Sequence, residues 1–115
     1  MPFSTKYVFV VSMDVDPDKE ALFNEVYDNE HVPLISKVPG VRAATRMVGE
    51  DFTLQLGGEK MKKAHADARY TAIYEIDSPA VLLTAEWAKA AEQGRWPKEV
   101  RSFTRNRSHK VYRVR

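Results

Sequence analysis

The residues with the best claim to chemistry stand together in one stretch of a 115-residue chain: Tyr27, then Glu30 and His31, with His31 four residues after Tyr27. An imidazole titrates near neutral pH and can serve as a general base or donate a hydrogen bond to a substrate oxygen. The plainer role for a histidine at the end of a helix is to hydrogen-bond the last helical carbonyls. Projecting the stretch at about 100° per residue gathers Leu22, Phe23, Val26, Tyr27 and Leu34 into one apolar stripe. Glu30 falls inside that stripe and His31 at its edge. A carboxylate there is disfavoured by desolvation and by the negative end of the helix dipole, so Glu30 is expected either to have a raised pKa or to pair with a cation. Arg42, Arg46 and Arg69 are the candidate partners, and a structural ion pair is the plainer outcome. Tyr70, Tyr74, Phe9 and Arg46 become substrate contacts if they meet a polar cleft, and the tyrosines are otherwise core aromatics with satisfied hydroxyls.

Other chemistries lack their residues. The chain has no cysteine, which removes disulfides, thiolate metal sites and thiol nucleophiles. It contains no HExxH, paired-Asp motif, phosphate-cradling glycine loop or nucleophile elbow. His65 sits in a lysine-rich segment and His109 in a basic one, and neither has metal-ligand spacing to His31. No metal and no cofactor are therefore expected.

The elements that must position these residues are legible from pattern. Residues 6 to 14 are β-branched and aromatic, as in a central strand. Asp16 and Pro17 then suit a helix N-cap and first position, and the helix is expected to end near His31, because Pro33 biases Val32 away from the α region. Val38-Pro39-Gly40-Val41 reads as a turn into a second strand that runs to Val48 and is closed by Gly49. Residues 50 to 67 read as an exposed loop or hairpin. A third strand spans Arg69 to Asp77, a second helix runs from Ser78-Pro79 to Gly94, and a connector with Trp96-Pro97 leads to a last strand from about Phe103 to Val114.

The order β-α-β-β-α-β closes without left-handed crossovers as a ferredoxin-like α+β domain, an antiparallel four-stranded sheet with two helices on one face. At this length a single domain, residues 1 to 115, is expected. One sheet face collects Tyr7, Phe9, Val11, Met13, Tyr70 and Tyr74. Taken as the face away from the helices, it needs a cover, which a second copy would supply, so a homodimer is expected.

Composition bounds the setting. The chain is 43% hydrophobic and 30% charged, the balance of a folded domain rather than a disordered one. A net charge of +2 is too small to point to nucleic acid. From Arg101 to Arg115 there are six basic residues and no acidic one; they could attract an anionic ligand, but a solvated strand face is the expectation. The first six residues lack a signal-peptide pattern and no apolar run is long enough to span a bilayer, so a soluble, cytoplasmic protein that makes no membrane contact is expected.

The run Phe23 to Pro33, with Tyr27 and His31-Val32-Pro33, followed by Val38-Pro39-Gly40-Val41 and Arg46, resembles the dimeric α+β barrel superfamily, in particular its EthD-like and stress-responsive branches. The Tyr70 to Glu75 strand and the Glu86-Trp87 helix fit the same pattern, so the resemblance covers nearly the whole chain. It implies a dimeric barrel with a pocket between helices and sheet or inside the barrel, and a histidine at the position of His31 that acts as general base in some cyclase-like members. It does not fix an activity, because the superfamily carries monooxygenases, isomerases, cyclases and haem-degrading enzymes.

The leading expectation is a cofactor-independent enzyme, of isomerase, lyase or cyclase, or monooxygenase type, acting on a small, largely apolar oxygenated compound. His31 would be its acid/base, with Tyr27 or Glu30 orienting or tuning it. The alternative is a non-catalytic ligand-binding or stress-associated dimer. Single-stranded RNA binding shares the element order but lacks the glycine-and-aromatic third-strand motif, which Arg69-Tyr70-Thr71-Ala72-Ile73-Tyr74 does not contain.

Overall fold

A computed structural model describes residues 3–65 and 68–115. The main sheet has four strands: β1 (Tyr7–Val15), β2 (Val41–Val48), β5 (Tyr70–Ile76) and β6 (Thr104–Arg113), in the order β2-β5-β1-β6 with every neighbouring pair antiparallel. This is the split β-α-β arrangement expected. Two further strands, β3 (Phe52–Leu56) and β4 (Glu59–Lys63), form a separate exposed hairpin. It occupies the segment read as loop or hairpin, whose last two positions, 66 and 67, lie outside the described residues.

Strand register decides which side chains meet the helices. Tyr7, Phe9, Val11 and Met13 oppose Ile76, Tyr74, Ala72 and Tyr70, so these eight share one face. The helical layer packs on that face: Phe23 lies 5.0 Å from Tyr70 between ring centroids and Phe9 5.6 Å from Trp87. The aromatic face is thus covered by the chain's own helices, which corrects the expectation that it needs a second copy. Alternation identifies the two faces without saying which one the helices take, and the deeper helix-to-sheet gap takes the larger side chains. The outer face carries Val8, Val10, Ser12, Thr71, Ile73 and Glu75.

The first helical stretch is longer than expected and irregular. It comprises α1 (Glu20–Val26), a wide turn over Tyr27–His31 and α2 (Val32–Ser36). In the wide turn the Val32 N–H donates to the Tyr27 carbonyl, five residues back. Pro33 therefore does not end the helix near His31. An α-helical proline lacks its N–H and crowds the carbonyl four residues before it, here Asn29, and one extra residue in the turn relieves that clash. Phe23 and Val26 on this stretch are fully buried, each worth about 1.5–3 kcal/mol by area removed from water.

The second helix breaks at Thr84, whose extended backbone (ψ 155°) separates a 3-10 segment, Pro79–Leu83, from α3 (Ala85–Ala91). The Thr84 hydroxyl oxygen accepts the Trp87 N–H at 3.1 Å as the new N-cap. The connector after Gly94 is itself helical. A second wide turn covers Trp96–Val100, with the Arg101 N–H donating to the Trp96 carbonyl, and a short 3-10 segment follows.

Candidate functional site

The two wide turns lie on either side of one cavity. The first presents Tyr27 and His31, the second Trp96 with Arg101 just after it, and the sheet supplies the floor. The cavity measures about 170 Å³, close to the roughly 150 Å³ of an engineered apolar cavity that holds benzene. It therefore suits a molecule of about one ring.

His31 is 9% exposed, and its Nδ1 atom is buried without a hydrogen-bond partner. It does not bond the helical carbonyls. Its ring stacks on Trp96 at 4.7 Å and 25°, and Tyr27 meets it edge-on at 5.2 Å. Burial, then the nearby positive charge of Arg101, push its pKa down to about 4, against a smaller opposing effect of Glu92. At neutral pH His31 is an uncharged imidazole, and its unpartnered nitrogen is the most conspicuous unmet polar demand at the site.

Tyr27 and Tyr74 place their hydroxyl oxygens 3.3 Å apart. Burial raises the pKa of both, so they remain neutral phenols able to donate. Phe9 completes this wall, its ring 6.0 Å from that of His109 and nearly parallel to it.

Four of the seven expected site residues thus line the cavity: His31, Tyr27, Tyr74 and Phe9. Glu30, Arg46 and Tyr70 do not. Glu30 faces away, accepting the Arg95 backbone N–H at 2.9 Å and its Nε at 2.6 Å. These two bonds hold its carboxyl below the usual range, so the raised pKa is not found and the cation partner is Arg95 rather than Arg42, Arg46 or Arg69. Those arginines pair elsewhere, with Asp77, Asp28 and Glu20 respectively. Arg46 also lies over the Tyr27 ring, 4.4 Å from its centroid, a cation–π contact that braces the tyrosine from outside the cavity. The Tyr70 hydroxyl donates to Glu20.

The wide turn explains the exchange of Glu30 and His31. An i to i+5 turn advances through a smaller angle per residue than an α-helix, so a projection at α-helical pitch drifts across it. Glu30, placed inside the apolar stripe, turns out to the surface, and His31, placed at its edge, turns in.

Sequence reasoning did not assign Trp87, Trp96, Arg101, Arg107 and His109 to the site, yet all five line the cavity. The only signals were two tryptophans flanking Gly94 and the acid-free basic tail, for which a solvated face was the expectation. Arg105, Arg107, His109, Lys110 and Arg113 on the last strand are all exposed, as expected; Arg107 and His109 nevertheless border the cavity, together with half-buried Arg101. Arg101 donates to both carboxylate oxygens of Glu92, one at 2.9 Å. Arg107 has no carboxylate partner among the described residues.

No protein-family model and no curated protein sequence matches this chain. Among solved structures it is similar to an ethyl tert-butyl ether D (EthD) family protein from Bacillus halodurans C-125, with a TM-score of 0.58 and 18% identity over 95% of this chain and 99% of the other. It is also similar to a mutant of MhuD bearing two manganese protoporphyrin IX molecules per active site, with a TM-score of 0.57 and 14% identity over 94% and 93%. At these identities the likeness shows the fold, which is the ferredoxin-like protomer fold of the dimeric α+β barrel proteins that the sequence resemblance implied. Among the described residues no helix is long and apolar enough to cross a membrane.

Proposed function

We propose that this chain, which has the fold of an EthD family protein, is a cofactor-independent enzyme acting on a small, largely apolar oxygenated compound, with His31 as its acid/base. The observation that carries this reading is a neutral His31 that lines a cavity of one-ring size, its Nδ1 buried without a partner behind that wall. Reactions of isomerase, lyase or cyclase, or monooxygenase type fall within it. The simplest is a proton shift: His31 takes a proton from a carbon next to a carbonyl and returns it to another carbon, with no net change in protons or electrons. In the neutral Tyr27–Tyr74 pair one hydroxyl donates to the other, whose own proton is free to donate to the enolate oxygen that forms between the two transfers. Glu30 takes the supporting role of holding Arg95, and through it the Trp96 turn.

A porphyrin, as bound in the MhuD structure, does not fit this site. A cavity of about 170 Å³ lies below the roughly 300–1,000 Å³ of ordinary ligand pockets and holds one ring, not four.

A second reading, a non-catalytic ligand-binding or stress-associated protein, is favoured by the same lowered pKa, since an imidazole at about 4 is a weak base until a ligand raises it. In either case the working form is proposed as a cytoplasmic homodimer. The outer sheet face, with part-buried Val10 and Ile73 and exposed Met47 and Tyr112 at its edges, is the surface for a second copy. Sedimentation of the purified chain at twice its monomer mass is the expected result.

Incubating the protein with small cyclic ketones in heavy water, and following loss of the exchangeable C–H signals by NMR, separates the two readings. The enzyme reading expects catalysed exchange that falls about 10²–10⁴-fold in His31→Phe, the usual contribution of a general base. Exchange unchanged in that variant overturns the assignment of His31. Binding without exchange leaves the second reading.

A further inference from the structure

The cavity's mouth carries a device that the base chemistry does not use. Strand β6 contains one extra residue opposite β1: Ser12 pairs with Ser108, but Asp14 pairs with Arg105. At this bulge Asn106 takes a left-handed conformation, φ 56°, the one non-glycine residue to do so among the described residues. Such a conformation is costly for a side chain other than glycine and persists only where its surroundings impose it. Asp14 imposes it, its carboxylate accepting Asn106 Nδ2 at 2.8 Å and the Arg69 backbone N–H at 2.8 Å.

Bulges re-aim the side chains beside them. The residue that follows Asn106 is Arg107, which lines the cavity. No aspartate or glutamate is among the lining residues, and the other lining arginine, Arg101, is engaged in an ion pair with Glu92. Arg107, exposed and without a carboxylate partner among the described residues, is therefore a cation at the opening of a cavity walled mainly by aromatic and aliphatic side chains, with His109 two residues further along the same strand face. The interior holds one ring, and the mouth offers a guanidinium to whatever that ring carries.

Building on the reading of this cavity as a small-molecule site, we propose that its ligand is a monocyclic carboxylic acid, the carboxylate resting on Arg107 beside His109 and the ring lying inside against His31 and Trp96. A guanidinium binds a carboxylate by paired, charge-assisted hydrogen bonds, and a neutral amide of the same shape cannot reproduce them. The ring end is held by aromatic contact that both molecules share. Arg107 thus selects for the acid, and the Asn106 bulge positions Arg107.

The chain's two tryptophans, Trp87 and Trp96, both line the cavity, so intrinsic fluorescence reports on its occupancy without a label. Benzoate and benzamide serve as isosteric probes titrated into the intact protein. The expected result is quenching by both, with benzoate bound at least about tenfold more tightly, the scale of one charge-assisted contact. Arg107→Gln should abolish that preference while leaving benzamide affinity unchanged, Arg107→Lys should retain part of it, and Arg113→Gln, an exposed change on the same strand, should leave it intact. Equal binding of the two probes, a preference that survives Arg107→Gln, or an equal loss in Arg113→Gln overturns the proposal while leaving the cavity reading in place. Failure of both probes to bind removes the cavity reading and the proposal with it.

Discussion

Glu30 and His31 are adjacent in the chain, sit in the same wide turn, and face opposite environments. His31 points inward, stacked on Trp96 with an unpartnered nitrogen. Glu30 points outward, with every bond it makes going to Arg95. Both look anomalous at the end of an apolar helix, but only one keeps its anomaly once folded. A polar residue whose hydrogen bonds are met by the protein is held as structure, whereas a buried one left unmet beside a cavity calls for another explanation. The two sides are nevertheless connected, since Arg95 precedes the turn that carries Trp96 and Trp96 is the ring on which His31 stacks. Gly94 lets the chain come this close: its φ is +74°, and a Cβ there would meet Glu30 Oε1 at 2.7 Å.

Three experiments bear on that contrast. Trp96→Ala should have the largest effect, because the ring is 5% exposed and packs on His31, Tyr27 and Phe23. A loss of about 3–5 kcal/mol in urea denaturation is expected for truncating such a core aromatic. A loss under about 1 kcal/mol would mean that Trp96 is not the lid of the inner side.

Next comes the pH dependence of stability. The pKa of His31 in the folded protein, about 4, lies below its ordinary value of about 6.5, so the unfolded chain takes up a proton first as pH falls. Stability associated with this group is complete above about pH 6.5 and is lost as pH falls through about 4. The full difference is on the order of 3 kcal/mol. His31→Phe keeps an aromatic ring on Trp96 and should flatten that part of the stability profile relative to the parent. The same slope in both proteins would place its origin elsewhere.

The outer side should respond least. Glu30→Gln is expected to destabilise the protein by less than Trp96→Ala, in a salt-dependent way, since its ion pair is partly exposed and screened. It should also leave His31 titrating where it does, because the charges that act on His31 are those of Arg101 and Glu92. Arg101→Gln, by contrast, should raise the His31 pKa. If Glu30→Gln moves that pKa instead, the two sides are not separate.

These differences also show where pattern reading succeeds. Strand β1 is legible as a near-continuous β-branched and aromatic run, β5 from its alternation and β2 from the turns at Gly40 and Gly49 that bracket it, and a one-residue slip would expose an entire apolar face. Pro33 does not end the first helix as its position suggests, since a preceding wide turn accommodates a proline that an α-helix would not, and nothing local in the sequence announces one. The same turn moved Glu30 out of the site and His31 into it. Tyr27, Tyr74 and Phe9 reached the cavity because their positions follow from periodicity. Trp96, read as part of a connector, and Arg107, read as part of a solvated basic face, are not assigned to the site by pattern, because each is placed by an irregularity, the second wide turn and the β6 bulge, and irregular backbone has no period to read.

His31 is a buried imidazole at the cavity wall whose environment keeps it uncharged at neutral pH. Titrating its ring signals by NMR tests that most directly. A midpoint near 4, with a single neutral tautomer throughout the neutral range, is expected. A midpoint at the ordinary value of about 6.5 would contradict it.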